Sequence, residues 1–207
     1  MLAPLDRAAV EMANALMDRL RPLDTTILNA RGFRAMVEDL HERNTSAVGQ
    51  PHNDAIHMAH AAMLRAAIGT IMAALDKPGR DRASVGQMIY MFELVDLSVL
   101  ADRWPDAAFG AAELQRAKHD WATLLATPEF QDCKDFRDGA VAHTLVTELP
   151  TVPNEAYFRL HDAAEQLALR FFRICGFGKP AFSEHGPRLT ASAKMFWDTY
   201  WKGMASP

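Results

Sequence analysis

Apolar residues recur along this chain at spacings of three and four, the period of one helix face, and alternating Val/Ile/Thr runs bounded by turns are absent. Leu5, Ala9, Met12, Leu16 and Leu20 predict an amphipathic helix over residues 4–21. Phe33, Met36, Val37 and Leu40 point inward from a second helix over about 32–43. The stretch NTSAVGQPHN, Asn44 to Asn53, reads as loop by composition. A long helix from about Asp54 to Leu75 follows, and its many alanines suit close packing in a bundle. KPGRDR, Lys77 to Arg82, is a turn. Ser84 with Gln87 three residues on predicts a capping box, opening a helix that carries Ile89, Phe92, Leu94 and Val95.

Asp96 to Trp104 bends or continues helically and stops before Pro105. Residues 106–126 predict another helix with Leu114, Trp121 and Leu125 in the core. The next runs over about 129–147 and is broken by Pro150 and Pro153. Asn154 then caps a helix to about Cys175, with Leu160, Ala164, Leu167, Phe171 and Phe172 buried. Gly176 to Pro180 is a stop, 181–187 a loop, and about 189–203 a short helix with Met195, Phe196 and Trp197. Phe196, Trp197, Tyr200 and Trp201 suit a dimer patch or the seal of a terminal helix, and packing within the chain is the preferred reading. The expectation is an all-α protein, an antiparallel helical bundle with additional N- and C-terminal helices. One domain spans 1–207, without repeats or a domain-scale linker.

Composition narrows the function classes. Of 207 residues, 49% are hydrophobic and 23% charged, enough apolar material for a sizeable core. A net charge of −4 argues against broad nonspecific nucleic-acid binding, which needs a basic surface, but leaves room for a small basic cleft. Cys133 and Cys175 give neither a disulfide framework nor a metal spacing, which fits a reducing cytoplasm. The N-terminus lacks an apolar run of signal length, and Ala66–Leu75 falls short of a membrane span, so no membrane partner is expected. His57 and His60 stand three apart with His52 upstream, but no matching acidic or His set completes a metal site. They read as surface or packing histidines, and no metal or other cofactor is expected.

The chemistry concentrates in CKDFRDGAVAHT, Cys133 to Thr144, which places Arg137, Asp138 and His143 within seven residues. On one straight helix Arg137 and His143 project about 120° apart and lie roughly 9 Å apart along the axis. They do not share a face, yet both can border a groove, above all one shared with a second copy. Gly139, Ala140 and Ala142 have little bulk and admit a close helix. Histidine exchanges a proton near neutral pH, and arginine presents a fixed fork to phosphate oxygens. A base for a ribose 2′-hydroxyl beside a cation for the phosphorus-centred transition state is enough to cleave RNA without metal. The same spacing also suits a surface ion pair beside a partly buried ring.

Arg137-Asp138 with Ala142-His143-Thr144 resembles the arginine–histidine motif of the HEPN superfamily (higher eukaryotes and prokaryotes nucleotide-binding domain), in the form found in its abortive-infection, AbiU-like branch. Leu75-Asp76, followed by Asp81-Arg82-Ala83-Ser84 and a new helix, resembles that branch as well. The similarity covers roughly residues 25–175. Where the branch often carries lysine after Arg-Asp, this chain has Gly139, which removes a cation. The resemblance implies an antiparallel helical core and a homodimer whose two motif helices face one cleft. It implies a metal-independent endoribonuclease of toxin–antitoxin or phage-defence type, with His143 as base, Arg137 on the phosphate and Asp138 orienting one of them. Lys134 and Thr144 are the candidate substrate contacts, and RNA and a restraining antitoxin or other protein are the candidate partners. The alternative is a catalytically silent helical dimer that binds a nucleotide, RNA or protein. Arg80, Asp81 and Arg82 suit either a phosphate or partner contact or a solvated loop whose Asp81 braces a neighbouring helix, the second being preferred.

Overall fold

The computed structural model describes residues 7–44, 53–79, 82–103, 106, 108–142 and 152–205. Among them lie seven α-helices: α1 (Arg7–Asn44), α2 (Asn53–Ala74), α3 (Val85–Leu94), α4 (Phe109–Leu125), α5 (Pro128–Ala142), α6 (Asn154–Ile174) and α7 (Ala181–Ala205). A 3-10 helix, Leu97–Arg103, occupies the stretch expected to bend. The fold is all-α, a helical bundle. The predicted loop 44–53 falls almost wholly outside the described residues.

The largest departure from the sequence pattern is α1. Two helices are expected, and one of 38 residues is found, running straight through Pro22. An interior proline costs about 3 kcal/mol. Against that, Leu16, Leu20, Leu23, Ile27 and Ala30 are all 1% exposed or less and form one continuous buried stripe across the proline. Burial of each of the larger side chains contributes about 1.5–3 kcal/mol, so the stripe outweighs the break. Among the described residues the two predicted segments are thus the two halves of one helix.

The C-terminal helix is also longer than expected, because 181–187 is helical and Pro187 lies inside α7. Its first amides are capped from elsewhere in the chain: Ala181 N and Phe182 N donate to the Asp24 carboxylate at 2.9 and 3.2 Å. A cap supplied by α1 leaves no local signal.

α1 and α2 pack antiparallel. Residues 40 and 41 of α1 meet Ile56 and His60, while Leu28 and Phe33 share a groove with Thr70. Along α6 the direction reverses likewise, Arg31 meeting Glu165 and Arg34 meeting Phe158. α7, however, runs parallel to α1, since Asp24, Gly32 and Met36 meet Ala181, Leu189 and Trp197 in that order.

Several local readings are refined. Ser84 does cap α3, its Oγ accepting from Gln87 N at 3.2 Å. The Gln87 side chain does not return to Ser84; its Oε1 accepts from Gly79 N at 2.9 Å, so the box becomes a staple on the preceding turn. Pro153, not Asn154, is the N-cap of α6, and no side chain caps it. α6 ends in a Schellman arrangement, with Gly176 at φ 64° and Phe177 N donating to Phe172 O at 3.0 Å. Phe33 and Leu125, expected inside, are each 36% exposed, and Leu124 rather than Leu125 faces the core. Phe172 is only partly buried. Trp197 is buried, its indole N–H donating to Met36 O at 3.1 Å, whereas Met195 and Phe196 are exposed. By length and composition Ile56–Ala74 is apolar enough to cross a membrane, longer than the apolar run read from the sequence because a lone Arg65 does not end it. In the bundle α2 packs on α1, α5 and α6.

Candidate functional site

α5 is anchored by its N-terminal half. Phe130 and Cys133 are buried, Phe130 edge-on to Trp121 with ring centroids 6.1 Å apart. Burial pushes the Cys133 thiol up to about 12, so it is an inert core group. That anchor leaves the next turns, with Lys134, Arg137 and Asp138, at the margin of the core. His143 and Thr144 lie outside the described residues, as do Arg80 and Asp81.

The two stretches that carry the family resemblance meet in space. Arg137 contacts the Asp138 carboxylate twice, from Nε at 2.8 Å and from Nη2 at 2.7 Å. Its Nη1 also reaches Asp76 Oδ1 at 3.5 Å. Asp76, just beyond the end of α2, accepts on its other oxygen from Arg82 at 2.5 Å. At the far end Lys134, one turn before Asp138, donates to it at 3.0 Å. Lys134, Asp138, Arg137, Asp76 and Arg82 therefore form a chain of alternating sign drawn from α5, the end of α2 and the loop before α3. Lys134 chiefly, then Arg137, holds the Asp138 carboxyl below its ordinary range.

The loop is built to present Asp76 and Arg82. Arg82 N donates to Gly79 O at 3.0 Å, closing a turn. A Cβ on Gly79 would lie 2.9 Å from Arg82 Cδ, so the arginine stem lies across the bare glycine. A Cβ on Gly86 would meet Asp76 O at 2.6 Å, which fixes how closely α3 approaches the end of α2. Arg82 is thus tied down, not a freely solvated loop residue.

A second polar cluster, absent from the sequence reading, lies between α1, α6 and α7. Arg31 pairs with Glu165 at 2.8 and 3.0 Å. Arg34 pairs with Glu38 at 2.9 Å and with Asp162. Its Nη1 also faces His161 Nδ1 at 3.3 Å. His161 is fully buried. Burial, with Arg34 and Arg31 adding like charge, pushes its imidazole down to about 3. A cavity of about 120 Å³ lies among these side chains. The signal available was an odd histidine inside the apolar stripe of α6, between Tyr157, Leu160 and Ala164.

His57 is exposed; His60 stacks on His41 with centroids 6.4 Å apart, and no group of three ligating side chains suited to a metal occurs among the described residues. Comparison with protein-family models, curated proteins and solved structures gave no match.

Proposed function

We propose that this chain is a metal-independent endoribonuclease of the HEPN kind, with Arg137 as the phosphate-binding cation. One observation carries the reading: the ion chain that joins the two resembling stretches leaves Arg137 as the cation that can be released. Among its five members, three cations face two carboxylates. Withdrawing Arg137 leaves two neutral pairs, Lys134–Asp138 and Asp76–Arg82. No carboxylate is stranded when the guanidinium turns to a phosphate oxygen, so its desolvated charge is available to a ligand.

In the proposed reaction His143 takes the proton from a ribose 2′-hydroxyl. The oxygen attacks the adjacent phosphorus, the P–O5′ bond breaks, the 5′-oxygen leaves as a hydroxyl with a proton from the second copy's histidine or from water, and a 2′,3′-cyclic phosphate remains. Arg137 steadies the charge on the non-bridging oxygens, an effect on the order of 10²–10³-fold for a well-placed donor. A homodimer that brings two α5 helices to one cleft through Gly139, Ala140 and Ala142 is part of the proposal. So is action in a toxin–antitoxin or phage-defence setting with a restraining protein partner.

The test is cleavage of single-stranded RNA in EDTA by the wild type, Arg137→Ala and His143→Ala, with melting temperatures alongside. Cleavage lost in both variants at nearly unchanged melting temperature supports the reading. Activity that disappears with EDTA in the wild type defeats it. Absence of cleavage with tight RNA or nucleotide binding favours the silent module, a reading to which the pairing of Arg137 with two carboxylates lends weight.

A further inference from the structure

A cation that must leave two carboxylates to meet a ligand needs something to hold those carboxylates when it goes. Asp76 is three-quarters buried, with 26% of its side chain exposed, so an unpaired charge there is costly. Arg82 is placed to meet that cost. Its stem is fixed over Gly79, the Gly79 amide is stapled to Gln87, and its guanidinium sits on the Asp76 oxygen that Arg137 does not use. Arg82 and Arg137 therefore hold different oxygens of the one Asp76 carboxylate.

We propose that Arg82 is a positioning residue for Arg137: by holding Asp76, it frees Arg137 to bind a phosphate oxygen of a single-stranded nucleic acid. The proposal rests on Arg137 being the phosphate ligand, as argued above, and assigns Arg82 no contact with the ligand. Without Arg82, Arg137 is the one ion-pair partner left to Asp76 among the described residues and is drawn inward, and ligand binding weakens. Without the Asp76 charge as well, nothing draws it inward, and binding returns. Two changes that each remove part of an ion pair should therefore offset one another.

The experiment uses the full chain and a fluorescent single-stranded oligonucleotide of 2′-deoxy residues, which lacks the attacking hydroxyl and stays intact. Dissociation constants are measured for wild type, Arg82→Gln, Asp76→Asn and the double variant at several salt concentrations. Arg82→Gln should weaken binding roughly tenfold, the scale of one charge-assisted hydrogen bond at a partly solvated site. Asp76→Asn should bind at least as well as wild type, and the double variant should return to within about twofold of it. The salt slope should stay the same in Arg82→Gln, because no phosphate contact is lost; a slope lower by about one would mean direct contact and overturn the proposal. A double variant as weak as Arg82→Gln would overturn it too.

A second readout needs no ligand: water exchange of the Arg137 Nε–H by NMR. It should slow in Arg82→Gln and recover in the double variant. If the oligonucleotide does not bind any form while this pattern holds, the functional reading fails and the positioning role stands. If wild type cleaves RNA but Arg137 exchange is indifferent to Arg82, the positioning role fails alone.

Discussion

In the seam between α1, α6 and α7, two guanidinium groups face three carboxylates, Arg31 and Arg34 against Glu38, Asp162 and Glu165. In the ion chain drawn from α5, the end of α2 and the loop before α3 the balance reverses among the described residues, three cations to two carboxylates. Burial differs at the centre of each. The His161 ring is 1% exposed and Glu165 14%, although Asp162 at the rim reaches 62%; in the ion chain Arg137 and Asp76 are 22% and 26% exposed, and Asp138 and Arg82 45% and 54%. The seam is closed: its cations are spent on the protein's own carboxylates, and an incoming anion would meet surplus negative charge. The ion chain has, among the described residues, one cation more than its carboxylates need, and its ends reach water. Similar Arg–carboxylate pairs therefore hold helices together in one place and, in the proposed function, are poised for a phosphate in the other. Ion-pair counts do not separate the two cases; the sign of the surplus and the depth of burial do.

The sharpest way to break this comparison is to exchange the same mutation between the two regions. Arg137→Ala should cut RNA cleavage on the order of 10²–10³-fold while barely moving the melting temperature. Arg34→Ala should do the reverse. It strips Glu38, Asp162 and His161 of one cation and should cost about 2 kcal/mol, the lower side of a buried-pair loss because Asp162 is largely solvated. Urea unfolding and a cleavage assay on both proteins settle it; equal stability losses would erase the distinction. Gly86→Ala comes next. Its Cβ would press on Asp76 O at 2.6 Å and Pro78 Cδ at 3.0 Å, mostly backbone that cannot swing aside. A loss of about 1–3 kcal/mol is expected, with RNA affinity little changed, because loosening Asp76 from Arg137 takes nothing from the proposed phosphate ligand.

The seam has its own pH signature. The His161 imidazole is held down to about 3, and an unfolded histidine titrates near 6.5. Between those values the unfolded chain binds the extra proton, so this contribution is complete above pH 6.5 and is lost as pH falls toward 3. Glu165 acts in the opposite sense, because burial raises its carboxyl, and its part grows as pH falls. Comparing wild type with His161→Gln in urea at pH 7 and pH 4.5 isolates the histidine: the wild type should lose more stability than the variant. Equal losses would mean that His161 already has a proton acceptor in the fold.

The helical class and most of the helices were legible because a buried face repeats every three or four residues wherever it is written. What escaped did so for nonlocal reasons. Pro22 looks like a break until the stripe from Leu16 to Ala30 is seen to be buried on both sides of it, and the start of α7 is capped by Asp24, more than 150 residues away. Arg137 and Asp138 were legible as a pair. Their link to Asp76 was not, since it depends on how Gly86 lets α3 settle on the end of α2. Nor was the seam: its charged members read as ordinary surface residues in their own helices, and the one local sign was His161 inside the apolar stripe of α6.

The smallest effect concerns the outer end of the ion chain. Lys134 and Asp138 are one turn apart on α5 and both well exposed, so Lys134→Gln should change stability at pH 7 by less than about 0.5 kcal/mol. Its effect belongs instead to Asp138. The lysine is the main cause of that carboxyl's low range, with Arg137 second. A depressed carboxyl adds stability above its unfolded value and loses it as pH falls through its folded one. Removing Lys134 should therefore move the Asp138 titration upward, toward the ordinary aspartate range, and shift the acid limb of stability the same way. It should also pull Arg137 more firmly onto Asp138, as the one cation left to that carboxylate among the described residues. Carbon NMR of the Asp138 carboxyl across acid pH, in the wild type and Lys134→Gln, measures the first; Arg137 Nε–H exchange measures the second. An Asp138 midpoint indifferent to the lysine would leave Arg137 as its only working partner. Arg137 would then not be surplus, and the contrast between the open chain and the closed seam would narrow to a difference in burial alone.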